Sequence, residues 1–321
     1  LGVDHFINVN DLSSNEVAKL IQSNSIDISI DLNGYTRKSR SEIFQYKMSP
    51  IQINYLGYPS TMGANFMDYI IADPITIPDE NRNFYSEKII YMPHTYQPND
   101  DKRKIARTNS KRVDSNLPDK GFVFCCFNQI YKISPKEFNI WMRLLKNVNN
   151  SVLWLIKSNK WVEQNFSKEA IKQGINPSRI VFAEKLSHSE HLARHKHADL
   201  FIDTFNYNAH TTASDALWCG LPIVTKQGKQ FSARVASSLL TACGLTELIT
   251  KNEKEYEELI YELATNPKKL KTIFLKLSKN KKNKPLFNTK QYTNNFENGL
   301  QKAYDIYFKG DHPKNIFVNE N

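Results

Sequence analysis

The 321-residue sequence contains no run of about eighteen apolar residues, the length that a membrane-crossing helix requires. Its opening residues lack the charged-then-apolar layout of a secretory signal, so a cytoplasmic chain that avoids membranes is expected. Cysteine is scarce. Cys125, Cys126, Cys219 and Cys243 form no Cys-x-x-Cys pair. The first two are neighbours whose side chains would leave a strand on opposite faces, so buried, reduced thiols are expected. No His-Glu-x-x-His motif occurs, and the pair His191 and His195, four apart, has no cysteine or carboxylate at ligand spacing, which argues against a zinc site. Helical repeats of tetratricopeptide length, low-complexity tracts and nucleic-acid motifs are also missing, as is any interleaving of basic with aromatic residues.

What is present is a chain that is 40% hydrophobic and long enough to bury two cores. Lys and Arg number 43 against 33 Asp and Glu, a net charge of +10, which favours phosphate-bearing partners without choosing among them. Much of the excess lies in "KKLKTIFLKLSKNKKNK", where Leu270, Ile273, Phe274 and Leu277 recur at helical spacing and leave the lysines on a solvated face. The sequence opens on Leu1, and an upstream portion is expected.

From Gly121 onward, short β-rich runs ("FVFCCF", "SVLWLI", "RIVFAE", "DLFIDT", "LPIVT", "ELIT") alternate with helical stretches, the pattern of a doubly wound parallel sheet. Before it, "IDISIDL", "IQINYLGYP", "MDYIIAD" and "EKIIYMP" read as strands, but only "SSNEVAKLIQSN" and "SEIFQYK" read as helices, too few for a whole domain of that kind. A polar stretch without periodicity, residues 97–120, predicts a linker. The expected domains are 1–112 and 113–321.

Three junctions at the carboxyl ends of these strands are unusually polar. In "NAHTTASDALWCG", His210, Thr211 and Thr212 open a helix directly after a strand, where free amides and the helix dipole favour an anion. Asp215 shares a helix face with Thr211. The same residues also fit a capping box from Thr212 to Asp215, which needs no ligand. After "GFVFCCF" come Asn128, Gln129, Tyr131 and Lys132, then a helix with Ser134 at its cap and Pro135 in its first turn; a lysine there can neutralise a phosphate. After "RIVFAE", the segment "KLSHSEHLARHKHAD" brings His188, His191, Arg194, His195 and His197, a face suited to a base, with His195 and His197 read as solvated.

"FNQIYKISP", "SEHLARHKHAD" and "NAHTTASDALWCGLPIVT", in that order, resemble the catalytic C-terminal lobe of bacterial members of the O-GlcNAc transferase and SPINDLY family of glycosyltransferases. "DLNGYTRKSRSEIF", "PIQINYLGYPSTMGANFMDYIIAD" and "YSEKIIYMPHTYQPND" resemble the later part of its N-terminal lobe. The resemblance implies an α/β fold of GT-B type, with a complete C-terminal Rossmann-like lobe, part of an N-terminal one, and a final helix returning to the latter. It implies inverting, metal-independent transfer from a UDP-sugar, UDP-GlcNAc by preference, to serine or threonine hydroxyls of an acceptor protein, with no cofactor. Tetratricopeptide repeats upstream in a longer chain belong to the same expectation.

By position, the resemblance gives catalytic duties to Lys132, which binds the donor phosphate, and to His210. Gln129 is implied at the nucleotide, and His191 and Arg194 around uracil. His210, Thr211 and Thr212 match the diphosphate turn, and Asp215 matches the ribose ligand. Leu56, Gly57, Pro59 and Tyr131 match positions lining the sugar. The family's histidine loop would lie upstream of Leu1, with His94 the first substitute for its base. Tyr207, bulkier than its counterpart near the N-acetyl pocket, makes UDP-glucose an alternative donor, and a UDP-binding remnant without catalysis is the other alternative.

Overall fold

Ser13 accepts a hydrogen bond from the amide of Glu16 and donates its own amide to the Glu16 carboxylate, a reciprocal cap that starts helix α1 (Ser14–Ser23). In the computed structural model, which describes residues 2–320, four short strands follow: β1 (Ile28–Asp31), β2 (Ile51–Asn54), β3 (Tyr69–Ala72) and β4 (Lys88–Tyr91). α1 supplies Val17 and Ala18 to a core shared with Ile43, Phe44, Met48, Met62 and Met67. "SEIFQYK" forms a 3-10 helix over Ser41–Tyr46 rather than an α-helix.

The second unit begins at Pro98. Its elements are β5 (Val123–Cys126), α2 (Pro135–Asn147), β6 (Val152–Ile156), α3 (Lys160–Lys172), β7 (Ile180–Ala183), α4 (His188–Arg194), β8 (Leu200–Ile202), α5 (Thr211–Trp218), β9 (Ile223–Lys226), α6 (Val235–Ala242), β10 (Ile249–Thr250), α7 (Glu253–Thr265) and α8 (Pro267–Asn283). β5 and β8 are buried along their whole length, so side chains on both sheet faces lie under helices and the strands read as continuous apolar runs. The order is β10-β9-β8-β5-β6-β7, every pair parallel. β5 has β6 on one side and β8 on the other, so the winding reverses between β5 and β8. In open α/β sheets this reversal opens a crevice beyond the carboxyl ends of the two strands.

α9 (Thr289–Phe308) carries the chain back into the first unit, which holds residues 1–97 and 292–321. After it, β11 (Ile316–Phe317) pairs with β4 and completes a parallel sheet of order β1-β2-β3-β4-β11. The buried stripe of α9 runs through Asn295, Gly299 and Ala303, shifted from the more apolar line of Leu300, Tyr304 and Tyr307. Gly299 explains the shift: a Cβ there would lie 2.9 Å from Ile90 and 3.2 Å from Val318, so the helix backbone itself lies against the sheet. Tyr307 stays exposed.

Both units are Rossmann-like, and the fold class is α/β of GT-B type. The boundary between units falls at 97/98, ahead of the expected 112/113. Residues 98–112 are fastened along the second unit: Ala106 donates its amide to Ser189 O at 3.0 Å, Lys196 Nζ bonds Thr108 O at 2.7 Å, and Arg112 pairs with Asp199 at 2.8 Å. Lack of periodicity in this stretch reflects a strap held by individual bonds. Among the described residues, no helix is long and apolar enough to cross a membrane.

Candidate active site

The first polar residues beyond β5 and β8 are Asn128 and Asp203, both fully buried. Asn128 Nδ2 donates to Asp203 Oδ1 at 3.1 Å and to Thr204 Oγ1 at 2.8 Å, while its Oδ1 accepts from the Thr212 hydroxyl at 2.5 Å. Asp203 Oδ1 also takes the amides of Thr204 (2.8 Å) and Ala209 (2.7 Å), and Oδ2 takes the Thr225 hydroxyl at 2.7 Å. One carboxylate therefore ties β8, β9, the loop after β5 and the turn 204–210 together. Burial pushes its pKa up to about 6, against the pull of those donors.

Over this base sits Lys132. Its Nζ donates to Asn208 O at 3.2 Å and lies 3.9 Å from the centroid of the Tyr207 ring. Burial draws its pKa down to about 8, with the Asp203 charge opposing, so the side chain is cationic at neutral pH. The Tyr207 ring in turn stacks on His210, centroids 4.6 Å apart. His210 Nε2 lies 3.1 Å from Ser232 O, which requires the proton on Nε2. Burial, reinforced by the Lys132 ammonium, lowers the His210 pKa to about 3, so this ring is neutral.

His210 caps α5 without a side-chain bond, and Ala213 and Ser214 are the amides that reach back to its carbonyl, each at 3.1 Å. The amides of Thr211 and Thr212 stand at the open end of the helix. A capping box is excluded: the Thr212 hydroxyl bonds Asn128 and the Asp215 carboxylate bonds Arg103. Thr211 is exposed and Thr212 half-buried. An ammonium and a free helix start, side by side at the reversal of the sheet, form an anion-binding arrangement.

α4 approaches the same end of β5. Phe127, directly after the strand, packs against His191 (centroids 5.1 Å) and His195 (5.2 Å), and the Arg194 guanidinium lies 4.8 Å over the Phe127 ring. Arg194 donates to Glu184 O at 2.5 Å and also bonds His191 Nδ1. Burial, reinforced by the neighbouring His195 and Arg194, holds His191 neutral with a pKa of about 3. His195 and His197 are not solvated as expected. His195 is 1% exposed, with Nδ1 at 2.9 Å from His191 O, and buried His197 is 3.0 Å from Ser110 Oγ. The strap 98–112 and the strand ends cover them. Among the described residues, no group of three His, Cys, Asp or Glu is placed to hold a metal ion.

Gln129 and Tyr131 are exposed on the loop that carries Lys132, Tyr131 being 82% accessible. Asp215 lies one turn into α5, paired with Arg103 at 2.6 Å and with His188 Nε2 3.6 Å from its other oxygen. Lys132, His210, Thr211, Thr212, Asp215, His191, Arg194, Gln129 and Tyr131 all belong to the second unit. Leu56, Gly57 and Pro59 belong to the first, just beyond the carboxyl end of β2. Leu56 adopts a left-handed φ of 71°, and a Cβ on Gly57 would meet Leu32 O at 2.2 Å, so this turn admits only glycine there. Sequence reasoning did not select Asp203 or Arg103. For Asp203 the signal was available, since it is the first polar residue after an apolar strand. Arg103 gave none.

The glycosyl transferase family 41 model matches residues 1–116 and 106–296. Among curated proteins, the chain is 39% identical to a probable UDP-N-acetylglucosamine–peptide N-acetylglucosaminyltransferase SEC of Arabidopsis thaliana, over 99% of this chain and 33% of that protein. It is 29% identical to the UDP-N-acetylglucosamine–peptide N-acetylglucosaminyltransferase of Caenorhabditis elegans, over 96% and 36%. The chain thus spans about a third of the length of these relatives. Among solved structures, a mutant O-GlcNAc transferase of Thermobaculum terrenum superposes with a TM-score of 0.85 at 24% identity, covering 96% of this chain and 57% of that one. Anabaena HepE, in complex with UDP and glucose, gives 0.59 at 14% identity, covering 92% and 84%.

Proposed function

Because the chain belongs to glycosyl transferase family 41, we propose that it carries the donor site of an inverting glycosyltransferase that moves GlcNAc from UDP-GlcNAc to serine or threonine hydroxyls of proteins. The observation that supports this most is the convergence of Lys132 with the free start of α5 at the sheet reversal. The names of the relatives, UDP-N-acetylglucosamine–peptide transferases, agree with it.

In this reading the acceptor oxygen bonds to the anomeric carbon on the face opposite UDP, and the bond from that carbon to the β-phosphate oxygen breaks. Its electron pair leaves with UDP, and the acceptor proton passes to a base. Charge grows on the β-phosphate during the step, and the Lys132 ammonium with the amides of Thr211 and Thr212 receives it. No metal ion is needed in this scheme. His210, neutral with its proton directed to Ser232 O, presents Nδ1 as an acceptor, which suits a sugar hydroxyl better than a phosphate oxygen. His191 and Arg194 border the uracil, with Gln129 beside the nucleotide. Leu56, Gly57, Pro59 and Tyr131 are assigned to the sugar. The four free thiols fit a reducing, cytoplasmic setting.

One observation favours a second donor. The Tyr207 ring, held against both Lys132 and His210, adds bulk beside the proposed diphosphate site, and less room for a 2-acetamido group there favours UDP-glucose.

Calorimetry with UDP at neutral pH, with and without EDTA, tests the core of the reading. Binding of equal strength in both is expected. Loss of binding on chelation would overturn the metal-free assignment, and failure of UDP to bind in either would overturn the nucleotide site.

A further inference from the structure

Arg103 lies in the strap 98–112, far in sequence from any strand end, yet its guanidinium is fixed from four sides. Nη1 donates to Asp215 Oδ1 at 2.6 Å and Nη2 to Ser214 Oγ at 3.1 Å, both groups on α5. Nε donates to Asp100 O at 3.1 Å. The guanidinium plane lies over Trp218 (5.3 Å) and Phe287 (5.7 Å), and Trp218 Nε1 closes the loop by donating to Arg103 O at 3.3 Å. Both partners of the ion pair are nearly buried, 12% and 11% exposed. So deep a pair orients its carboxylate firmly, because neither side chain has room to rotate away.

The two oxygens of Asp215 are not equivalent. Oδ1 is taken by Arg103. Oδ2 faces His188 Nε2 at 3.6 Å, beyond hydrogen-bond length, and the His188 side chain is 62% exposed and free to swing aside. We infer that Arg103 is a positioning residue for ribose recognition: it clamps Oδ1 so that Oδ2 is presented to the vicinal hydroxyls of a ribonucleotide. The inference rests on the proposed UDP site and adds to it a residue that touches no ligand. Arg103 would act through Asp215, and its effect would fall on the ribose hydroxyls alone.

The test compares affinities of the 321-residue chain for UDP, 2′-deoxy-UDP and 3′-deoxy-UDP. The unaltered chain should prefer UDP over at least one deoxy analogue by about tenfold or more, the value of a hydrogen bond to a charged group. In Arg103→Met, which keeps an unbranched stem between Trp218 and Phe287, this ratio should fall toward one, with UDP weakened and the deoxy analogue nearly unchanged. Arg103→Lys serves if the Met variant does not fold. A lysine cannot span Asp215 and Ser214 as a planar fork does, so the ratio should again drop. A ratio unchanged in the folded variant, or UDP and deoxy-UDP weakened equally, would overturn the inference while leaving the nucleotide site in place. UDP binding without any ribose preference in the unaltered chain would overturn it too. Failure of that chain to bind UDP at all would remove the nucleotide site and the inference with it.

Discussion

The Lys132 ammonium lies 3.9 Å over the Tyr207 ring and bonds the Asn208 carbonyl, so both of its protein partners lie on the turn that leads into α5. The cation and the free helix amides are therefore carried on one rigid piece. An anion bound there meets both without rearrangement, and among the described residues no carboxylate forms an ion pair with the ammonium.

Lys132→Ala should weaken UDP binding by about 1.5–3 kcal/mol, the usual worth of a hydrogen bond to a charged group. The pH dependence follows from a pKa of about 8 in the free site. Below that value the side chain carries its proton and affinity is full; above it the proton is lost and affinity falls, by up to about tenfold per pH unit. Lys132→Arg should abolish this fall, because a guanidinium does not titrate in that range. Titration calorimetry from pH 6.5 to pH 9.5 on the three proteins checks both statements. A flat profile in the unaltered chain would mean that Lys132 does not meet the phosphates.

Asp203 should matter first for stability. Asp203→Ala leaves the amides of Thr204 and Ala209 and one of the two side-chain N–H groups of Asn128 buried without an acceptor, each at a cost of about 1–3 kcal/mol. Asp203→Asn keeps an acceptor for all three and can donate to Thr225 Oγ1, so it should unfold at a temperature much closer to that of the unaltered chain. It also removes the negative charge that props up the Lys132 pKa, so the alkaline fall in UDP affinity should begin at lower pH. In the unaltered chain the raised carboxyl pKa has the opposite sign from a salt-bridged aspartate. Between about 4 and 6 the folded state holds the proton more tightly than the unfolded one, so this group's contribution to stability declines as pH rises through that window. Thermal melts of the two variants decide it; equal losses would show that the hydrogen bonds of Asp203 are not what holds the turn.

The strands of the second unit were legible because a parallel sheet buried on both faces must be written as unbroken apolar runs, as in "VFCC" and "VLWLI". The start of α2 was legible because Ser134, Pro135 and Glu137 cap it locally. β11 was not, being two residues long and defined only by its pairing with β4. His195 reads as polar on a helix, and only the tertiary packing of Phe127 and β5 makes it core. Arg103 is the sharpest case. Its role depends on Asp215, Trp218 and Phe287, all more than a hundred positions away, and no local pattern encodes such a bond. At the site itself, helix-start chemistry could be read from "NAHTTASD". The clamp beneath it could not, since Asn128 and Asp203 share no stretch of sequence.

Under the proposed function, donor choice turns on Tyr207. Its ring stacks on His210 and holds the Lys132 ammonium 3.9 Å from its centroid, so it cannot swing away from a larger sugar without losing both contacts. Tyr207→Ala removes the ring and opens volume beside the donor. It also strips Lys132 of its aromatic support, at a cost of about 0.5–2 kcal/mol that applies to every UDP-sugar alike. Comparing affinities for UDP-GlcNAc and UDP-glucose within each protein cancels that common loss. The ratio in favour of UDP-GlcNAc should rise in Tyr207→Ala, by about tenfold where a clash of one or two methyl equivalents is relieved. Tyr207→Phe, which keeps the bulk and the stacking, should leave the ratio where it was. An unchanged ratio in the alanine variant would show that the 2-acetamido group lies away from Tyr207, and the case for glucose as donor would lose its support.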